Sequence, residues 1–283
     1  MRQACVIGWP VEHSRSPVIH RYWLKRYGID GAYEKEAVPP GEAESFLRGL
    51  AQRGYVGANV TLPHKLAALK AADVADKAAY AIGAANTLWL DREGKLHATN
   101  TDAYGFMTNL QAQAPGWNEG RQPVFVIGAG GAARAILYGL LESGAGKILL
   151  ANRTRDKAEG LAAYFGSMSP EANWVEVVDW EERNRAVAAC GLLVNTTSLG
   201  MIGQPPLELD LDDLRKDAVV TDIVYTPLVT PLLAAARNRG RATVDGLGML
   251  LHQAVPGFER WFGVRPEVTH ELRAHVVASL GAA

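Results

Sequence analysis

The chain has 283 residues, of which 48% are hydrophobic and 21% charged, so its length and composition suit one large domain or two ordinary ones. Its formal net charge of −1 gives no overall electrostatic reason to bind nucleic acid or an acidic membrane. No apolar run approaches the roughly 20 residues that span a bilayer, and the start MRQACVIGWP is too short and too polar for a signal peptide. We therefore expect a cytoplasmic protein with no membrane and no nucleic-acid partner.

The two cysteines, Cys5 and Cys190, lie far apart and show neither a CxxC motif nor any metal-type spacing. Both fall in apolar surroundings. The pattern predicts buried, reduced thiols and no metal site.

Strands and helices alternate along the first part of the chain. Strands are predicted over QACVIG, AYEKEAV and YVGANV, and helices over 17–25, 41–52 and 64–72. Ser16 is the predicted N-cap of the first helix, with Pro17 as its first residue. The segments NTLWLD and KLHATN predict a β-hairpin.

A segment rich in proline, glycine and polar residues at 111–123 precedes a second region of alternating strands and helices. That region contains PVFVIG, LLVN and AVVTDIVY as strand-like segments, and such alternation predicts a parallel sheet covered by helices. The apolar segment 246–263 is expected to be broken at Pro256, and a final helix is expected from about Pro266.

The glycine turn GAGGAA at 128–133 fits the pattern G-x-G-x-x-A. On its own this pattern is weak, because it also describes a tight turn with close packing. Here it follows the apolar strand 124–127, opens the helix 132–141 and precedes a second strand at 147–151. In that βαβ context, backbone N–H groups and a helix N-terminus receive a pyrophosphate.

The residues after the second strand indicate which dinucleotide binds. NAD sites usually place an acidic residue there, whereas this chain has Asn152 and Arg153, followed by Thr154 and Lys157. A carboxylate would repel a 2′-phosphate, and a guanidinium or ammonium would bind it. The pattern therefore predicts NADP(H), the alternative being a solvated basic turn, with Asp156 as a first-turn charge of the next helix.

Three polar clusters lie at strand ends, where open α/β sheets bind their ligands. They are Ser14 with Ser16, the segment 59–65, and the segments 86–87 and 99–102. Lys65 and Asp102 are the one obvious proton-handling pair among them. A serine hydrolase is a poor alternative, since the chain has no G-x-S-x-G motif.

Nine motifs, in the right order and spacing over nearly the whole chain, resemble those of the shikimate dehydrogenase family. They are GWPVEHSRSPVIH, NVTLPHK, GAANT, NTDAYGF, GAGGAARA, NRT, NTTSLGM, DIVYTPLVTPLL and DGLGMLLHQAVPGFERWFG. The resemblance implies a reversible, NADPH-dependent reduction of 3-dehydroshikimate to shikimate, in the chorismate route to the aromatic amino acids.

The resemblance also assigns roles to individual residues. It places the substrate carboxylate on Ser14 and Ser16, proton transfer on Lys65 assisted by Asp102, and further substrate contacts on Thr61, Asn86, Asp102, Tyr225 and Gln253. It places the cofactor diphosphate on Gly128, Ala129, Gly130, Gly131 and Ala132, the adenosine 2′-phosphate on Asn152, Arg153, Thr154 and Lys157, and the nicotinamide end on Ile223 and Gly246.

The resemblance implies two α/β domains with the active site in the cleft between them. The predicted substrate-binding and catalytic domain is discontinuous, with residues 1–102 and 245–283. The predicted NADP-binding domain, residues 103–244, is a doubly wound Rossmann fold. Monomer and homodimer both fit, and the homodimer is slightly favoured.

Two alternatives remain open from the sequence. The first is an enzyme of the same superfamily that oxidises quinate or uses NAD, against which the 152–157 segment and the intact Ser14 and Ser16 argue. The second is a sensor that binds the ligand without turnover, against which the intact pair of Lys65 and Asp102 argues.

Overall fold

A computed structural model describes residues 1–168 and 175–280 of the chain. The chain forms two compact units. Unit 1 consists of residues 1–105 and 251–283, and unit 2 of residues 106–250. The last three residues of the predicted first domain, 281–283, lie outside the described residues.

Unit 1 is built on a six-stranded sheet with the order β2-β1-β3-β5-β6-β4. Its strands are β1 (Arg2–Gly8), β2 (Gly31–Ala37), β3 (Tyr55–Val60), β4 (Val74–Ala75), β5 (Thr87–Leu90) and β6 (Leu96–Thr99). The sheet is mixed: β1 runs parallel to β2 and β3, while β5 runs antiparallel to β3 and β6. The predicted hairpin is therefore confirmed.

Eleven α-helices are assigned within the described residues. They are α1 (Ser16–Arg26), α2 (Ala43–Arg48), α3 (Lys65–Ala71), α4 (Lys77–Ile82), α5 (Asp102–Gln113), α6 (Gly131–Glu142), α7 (Arg155–Met168), α8 (Arg183–Ala189), α9 (Pro231–Asn238), α10 (Gly246–Phe262) and α11 (His270–Leu280). Helix α4 and strand β4 are too short for a periodic pattern and were not predicted. Helix α2 is shorter at both ends than the predicted 41–52.

The start of α1 differs from the prediction. Arg15 occupies the N-cap position and Ser16 is already helical, so Ser16 is not the N-cap. The Ser14 hydroxyl oxygen instead accepts a hydrogen bond from the Ser16 N–H at 3.3 Å. The cap is displaced because a serine two residues earlier supplies the acceptor for this helix terminus.

Helix α10 is continuous through Pro256, so the predicted break is wrong. The proline removes one main-chain donor. The apolar face nevertheless stays buried on both sides of it, through Leu251, Val255, Phe258 and Trp261. Packing of that face outweighs the loss of one hydrogen bond.

Unit 2 contains a six-stranded sheet with the order β12-β11-β10-β7-β8-β9, in which every pair is parallel. Its strands are β7 (Val124–Ile127), β8 (Ile148–Ala151), β9 (Val175–Val178), β10 (Leu192–Asn195), β11 (Val219–Asp222) and β12 (Ala242–Val244). The order reverses direction at β7, which is the doubly wound Rossmann arrangement. The predicted fold class is confirmed for this unit.

Alternate residues of these strands enter two separate apolar clusters, as a sheet buried on both faces requires. Val124 and Val126 of β7 pack with α6 residues such as Ile136. Phe125 and Ile127 of the same strand pack into the other cluster with residues of α8 and α9. The near-continuous apolar runs in the sequence follow from this double burial.

The two units divide inside helices. The first boundary, 105/106, falls in α5, and the second, 250/251, falls in α10. The predicted boundaries were 102 and 244, at the starts of these helices. A motif marks where a helix begins, whereas the packing of its later turns decides which unit each turn joins.

Candidate active site

The register of the first sheet places several predicted site residues at one edge. Asn59 near the end of β3 pairs with Thr87 at the start of β5, and Thr87 pairs with Thr99 at the end of β6. The loops that carry Thr61, Asn86 and Asp102 therefore leave the sheet on the same side. This positions three polar segments, far apart in sequence, side by side.

Lys65 and Asp102 form an ion pair, in which the Lys65 ammonium donates to Asp102 Oδ2. Their side chains are 27% and 14% exposed, so both are largely shielded and still reachable from solvent. The second carboxylate oxygen, Oδ1, accepts from Asn86 Nδ2 at 2.8 Å. The arrangement places an amine and a carboxylate, two groups suited to general acid–base catalysis, in direct hydrogen-bond contact.

The orientation of the Asn86 amide follows from its neighbours. Asn86 Oδ1 accepts from the Thr101 backbone N–H at 2.8 Å, and this N–H can only donate. The amide nitrogen must then face Asp102, whose carboxylate can only accept. Asn86 is 3% exposed, so this orientation is fixed within the core.

Two further predicted substrate contacts lie in unit 1. Gln253 on α10 is 9% exposed, and its Oε1 accepts from the Thr101 hydroxyl at 3.5 Å. Thr61 follows β3, and its N–H donates to the Ile7 carbonyl at 2.9 Å. Its methyl carbon lies 2.5 Å from where a Cβ on Gly8 would be, so only glycine fits at position 8.

The predicted carboxylate site, Ser14 and Ser16, lies at the start of α1. The helix N–H groups there are already engaged, since Ser16 N–H donates to Ser14 and Val18 N–H donates to the Arg15 carbonyl at 3.0 Å. These main-chain N–H groups are therefore not free to bind a substrate carboxylate. The two hydroxyl groups are the donors left for an anion.

The glycine turn in unit 2 combines a close approach with an open space. Gly128 has φ +109°, and a Cβ there would lie 2.5 Å from Thr196 Oγ1. At Gly130 and Gly131, by contrast, no atom lies within 4 Å of where a Cβ would be. Gly130 is the N-cap of α6 and makes no side-chain cap bond. This turn, with Ala129 and Ala132, has the form of a diphosphate cradle.

The residues after β8 have different environments. Asn152 Oδ1 accepts from the Ala129 N–H at 3.2 Å, so this side chain ties the glycine turn to the next loop. Arg155 pairs with Glu159 and Asp179, which raise the pKa of its guanidinium. Within residues 1–168 and 175–280, neither Arg153 nor Lys157 has a salt-bridge partner. These two exposed cations, beside exposed Thr154, are the ones available to a phosphate.

The structure brings together the two residues predicted at the nicotinamide end. A Cβ on Gly246 would lie 2.2 Å from the Ile223 carbonyl oxygen. Tyr225, predicted as a substrate contact, follows Ile223 in unit 2, whereas the other predicted substrate contacts lie in unit 1.

Sequence reasoning missed Asp222, a buried carboxylate at the end of β11. It accepts from Asn195 Nδ2 at 3.0 Å, the Val224 N–H at 3.0 Å and the Thr230 hydroxyl at 2.7 Å. Burial raises the pKa of Asp222, and these three donors oppose that shift. Asp222 thus holds the loops after β10 and β11 together; an acid that ends an apolar strand was the available signal.

Other features were searched for across the described ranges. No group of three or more His, Cys, Asp or Glu side chains there could hold a metal ion. None of the described helices has both the length and the apolar character needed to cross a membrane. Cys5 and Cys190 are buried free thiols.

Comparison with known proteins identifies the family. Residues 6–88 match the shikimate dehydrogenase substrate binding domain, 111–203 match shikimate / quinate 5-dehydrogenase, and 246–270 match the shikimate 5'-dehydrogenase C-terminal domain. The chain is 54% identical, over 100% of its own length and 98% of the relative's, to a shikimate dehydrogenase (NADP(+)) of Azorhizobium caulinodans. The chain belongs to the shikimate dehydrogenase family.

Solved structures support the same assignment of fold. A shikimate 5-dehydrogenase from Thermus thermophilus, in complex with NADP(H) and shikimate, is 34% identical and has a TM-score of 0.83, with 100% of both chains covered. A quinate dehydrogenase from Corynebacterium glutamicum, in complex with NAD, is 30% identical and has a TM-score of 0.90, covering 98% of this chain and 99% of its own. The shikimate dehydrogenase family thus shares this fold with an enzyme of different substrate and cofactor, so the residues at the site must decide between them.

Proposed function

We propose that this chain is an NADP-dependent shikimate dehydrogenase, which reversibly reduces 3-dehydroshikimate to shikimate. The observation that carries the proposal is the ion pair of Lys65 and Asp102, steadied by Asn86, at one edge of the unit 1 sheet. It stands in a chain that is 54% identical over its whole length to an enzyme of that name.

The chain's residues divide the work of the reaction. The Ser14 and Ser16 hydroxyl groups bind the substrate carboxylate, and Thr61 and Gln253 bind ring hydroxyl groups. The nicotinamide, when bound, supplies the hydride for the ring ketone carbon. Lys65 stabilises the negative charge that grows on the ketone oxygen and donates the proton to it. Asp102 keeps the Lys65 ammonium in place for that transfer.

The cofactor-binding residues favour NADP(H) over NAD(H). The open space at Gly130 and Gly131 accommodates a diphosphate at the start of α6. Arg153 and Lys157 supply positive charge after β8, with Thr154 as a further donor, and no acidic side chain occupies the position directly after the strand. Ile223 and Gly246 form the nicotinamide end.

An absorbance assay for NADPH formed from shikimate and NADP+ tests the proposal. We expect turnover by the wild type, a higher kcat/KM for shikimate than for quinate, and a higher kcat/KM with NADP+ than with NAD+. A preference for quinate with NAD+ would place the chain with the quinate enzymes instead. Ligand binding without turnover would identify it as a sensor.

Two finer parts of the proposal concern location and assembly. We place the enzyme in the cytoplasm, because the buried free thiols of Cys5 and Cys190 are typical of a reducing compartment. We also propose a monomer or a homodimer, with the homodimer favoured. Light scattering coupled to size-exclusion chromatography distinguishes these states.

A further inference from the structure

The Tyr33 hydroxyl group lies at the head of a buried hydrogen-bond chain that ends at Asp102. Tyr33 is on β2, fully buried, and no motif singled it out. Its hydroxyl donates to Asn59 Oδ1 at 2.6 Å, and Asn59 is itself 4% exposed. The chain therefore starts on a strand that carries none of the predicted site residues.

All four hydrogen bonds of this hydrogen-bond chain are donated in the same direction, from Tyr33 towards Asp102. Tyr33 donates to Asn59, Asn59 Nδ2 to Thr87 Oγ1 at 3.1 Å, Thr87 Oγ1 to Asn86 Oδ1 at 3.0 Å, and Asn86 Nδ2 to Asp102 Oδ1 at 2.8 Å. In a sequence of this kind each bond polarises the next, so the links strengthen one another.

Two main-chain groups fix that direction. Asn59 Nδ2 also donates to the Asn86 carbonyl oxygen at 3.3 Å, which can only accept, so Asn59 Oδ1 must face Tyr33. Asn86 Oδ1 faces the Thr101 N–H, which can only donate. Tyr33 must therefore be the donor, and it completes the set of donors that orients Asn86.

The ring and the hydroxyl of Tyr33 have separable roles. The ring stacks on His20, with centroids 4.1 Å apart and planes at 13°, and it also lies near Trp261. Removing the hydroxyl alone leaves that packing intact. A phenylalanine at this position thus tests the hydrogen-bond chain without creating a cavity in the core.

We propose that Tyr33 is a positioning residue of the reaction, which acts through Asn59 and Asn86 to hold the Asp102 carboxylate against Lys65. This inference rests on the proposed function. The Tyr33 hydroxyl adds a buried donor to the hydrogen-bond chain that supports the Asn86 amide beside the catalytic carboxylate. The Ser16 side chain lies beside the same hydroxyl, so the KM for shikimate is measured together with kcat in the tests below.

The first test compares Tyr33→Phe with Tyr55→Phe. The Tyr55 hydroxyl donates to Glu36, which is not part of the hydrogen-bond chain from Tyr33 to Asp102. Tyr55→Phe therefore makes the same chemical change at a control position. Loss of one buried hydrogen bond predicts that kcat falls about 3- to 10-fold in Tyr33→Phe, with the KM for NADP+ unchanged. Tyr55→Phe should retain wild-type kcat. An unchanged kcat in Tyr33→Phe, or an equal loss in both variants, overturns the proposal.

The second test is a double-mutant cycle with Asn86→Ala. If Tyr33 acts through Asn86, then Tyr33→Phe should cause no further loss of kcat once Asn86 is gone. A purely structural role of Tyr33 predicts instead that the same 3- to 10-fold loss recurs in the Asn86→Ala background. That outcome would refute the proposal that Tyr33 affects kcat through Asn86.

A third measurement does not depend on activity. The side-chain amide resonances of Asn86, assigned by their loss in Asn86→Asp, should shift in Tyr33→Phe and stay in place in Tyr55→Phe. If these resonances do not shift in Tyr33→Phe, Tyr33 does not act on Asn86 through the hydrogen-bond chain, and the proposal is overturned. If the resonances shift in Tyr33→Phe but the wild type does not turn over shikimate, the proposed function is refuted and the hydrogen-bond chain is retained.

Discussion

The two units prepare their ligand sites by different means. In unit 1 the candidate site is made of side chains that already bond to one another, as in the group formed by Lys65, Asp102 and Asn86. In unit 2 the candidate phosphate site is made of a main-chain turn with open space at Gly130 and Gly131 and two exposed cations. A reaction that moves a proton needs side chains held at fixed distances, whereas a diphosphate needs room and N–H groups.

The largest expected effect is on the proton-handling pair of unit 1. Lys65→Ala or Asp102→Ala should lower kcat about 10²- to 10⁴-fold, with a much smaller change in the KM for shikimate, because the proton donor or its anchor is lost. Steady-state kinetics with shikimate and NADP+ measure both constants. Lys70→Ala, an exposed lysine on the same helix, is the control. Near-wild-type turnover in both variants at positions 65 and 102 would refute the assignment.

A second prediction concerns the core beneath the unit 1 site. His20 is fully buried against Tyr33, and burial lowers its pKa from 6.5 to about 3. The unfolded chain therefore binds a proton below pH 6.5 that the folded chain excludes, so stability is present above this pH and is lost as the pH falls towards 3. Between pH 7 and pH 4.5 this one group should cost roughly 2–3 kcal/mol of unfolding free energy.

The variant His20→Phe tests that prediction, because it keeps an aromatic ring and removes the titrating group. Urea unfolding at the two pH values should show a free-energy difference smaller than that of the wild type by this amount. His270→Phe changes an exposed histidine and should keep the wild-type difference. Equal pH dependence in wild type and His20→Phe would mean that His20 is not a buried neutral base.

A third prediction separates the two arginines after β8. Arg153→Ala should raise the KM for NADP+ about 10- to 100-fold and leave the KM for NAD+ almost unchanged, because a charge-assisted bond to the 2′-phosphate is lost. Arg155, which is paired with Glu159 and Asp179, is the matched control. If Arg155→Ala changed the cofactor preference more than Arg153→Ala, the assignment of Arg153 would be wrong.

The smallest expected effect comes from one methyl group in the glycine turn. Gly131→Ala fills open space, so the unfolding free energy should hardly change while the KM for NADP+ rises about 5- to 10-fold. Gly128→Ala makes the same change where φ is +109° and Thr196 is close, so it should destabilise the fold. Calorimetry and kinetics on this pair separate steric loss of the cofactor from loss of the fold. Normal NADP+ kinetics in Gly131→Ala would show that the diphosphate does not bind at this turn.

The same contrast explains what the sequence could predict. The glycine turn is local: six consecutive residues, a strand before them and a helix after them were enough to predict unit 2 and its fold. The hairpin of unit 1 was equally local. The hydrogen-bond chain from Tyr33 to Asp102 joins five residues from four separate segments, and the distances between these segments are set only once the sheet has formed.

Other differences also have local causes that sequence patterns do not resolve. Ser14 rather than Ser16 supplies the cap acceptor of α1, since either serine satisfies the pattern. Pro256 does not break α10, because the burial of residues on both sides of it is a tertiary effect. Asp222 was missed because one of its donors, Asn195, ends a different strand, and another, Thr230, lies eight residues further along the chain.

Helix α10 also fixes the spacing between two residues that make defined contacts. Gln253 and Trp261 are eight residues apart on it, about 12 Å along the axis, and the Trp261 indole N–H anchors the helix by donating to the Leu88 carbonyl at 2.8 Å. A single inserted residue between them would lengthen this spacing by about 1.5 Å and rotate Gln253 by about 100°. The length of this stretch is thus under a constraint separate from its composition, because an insertion or deletion would displace Gln253 even if every other side chain were kept.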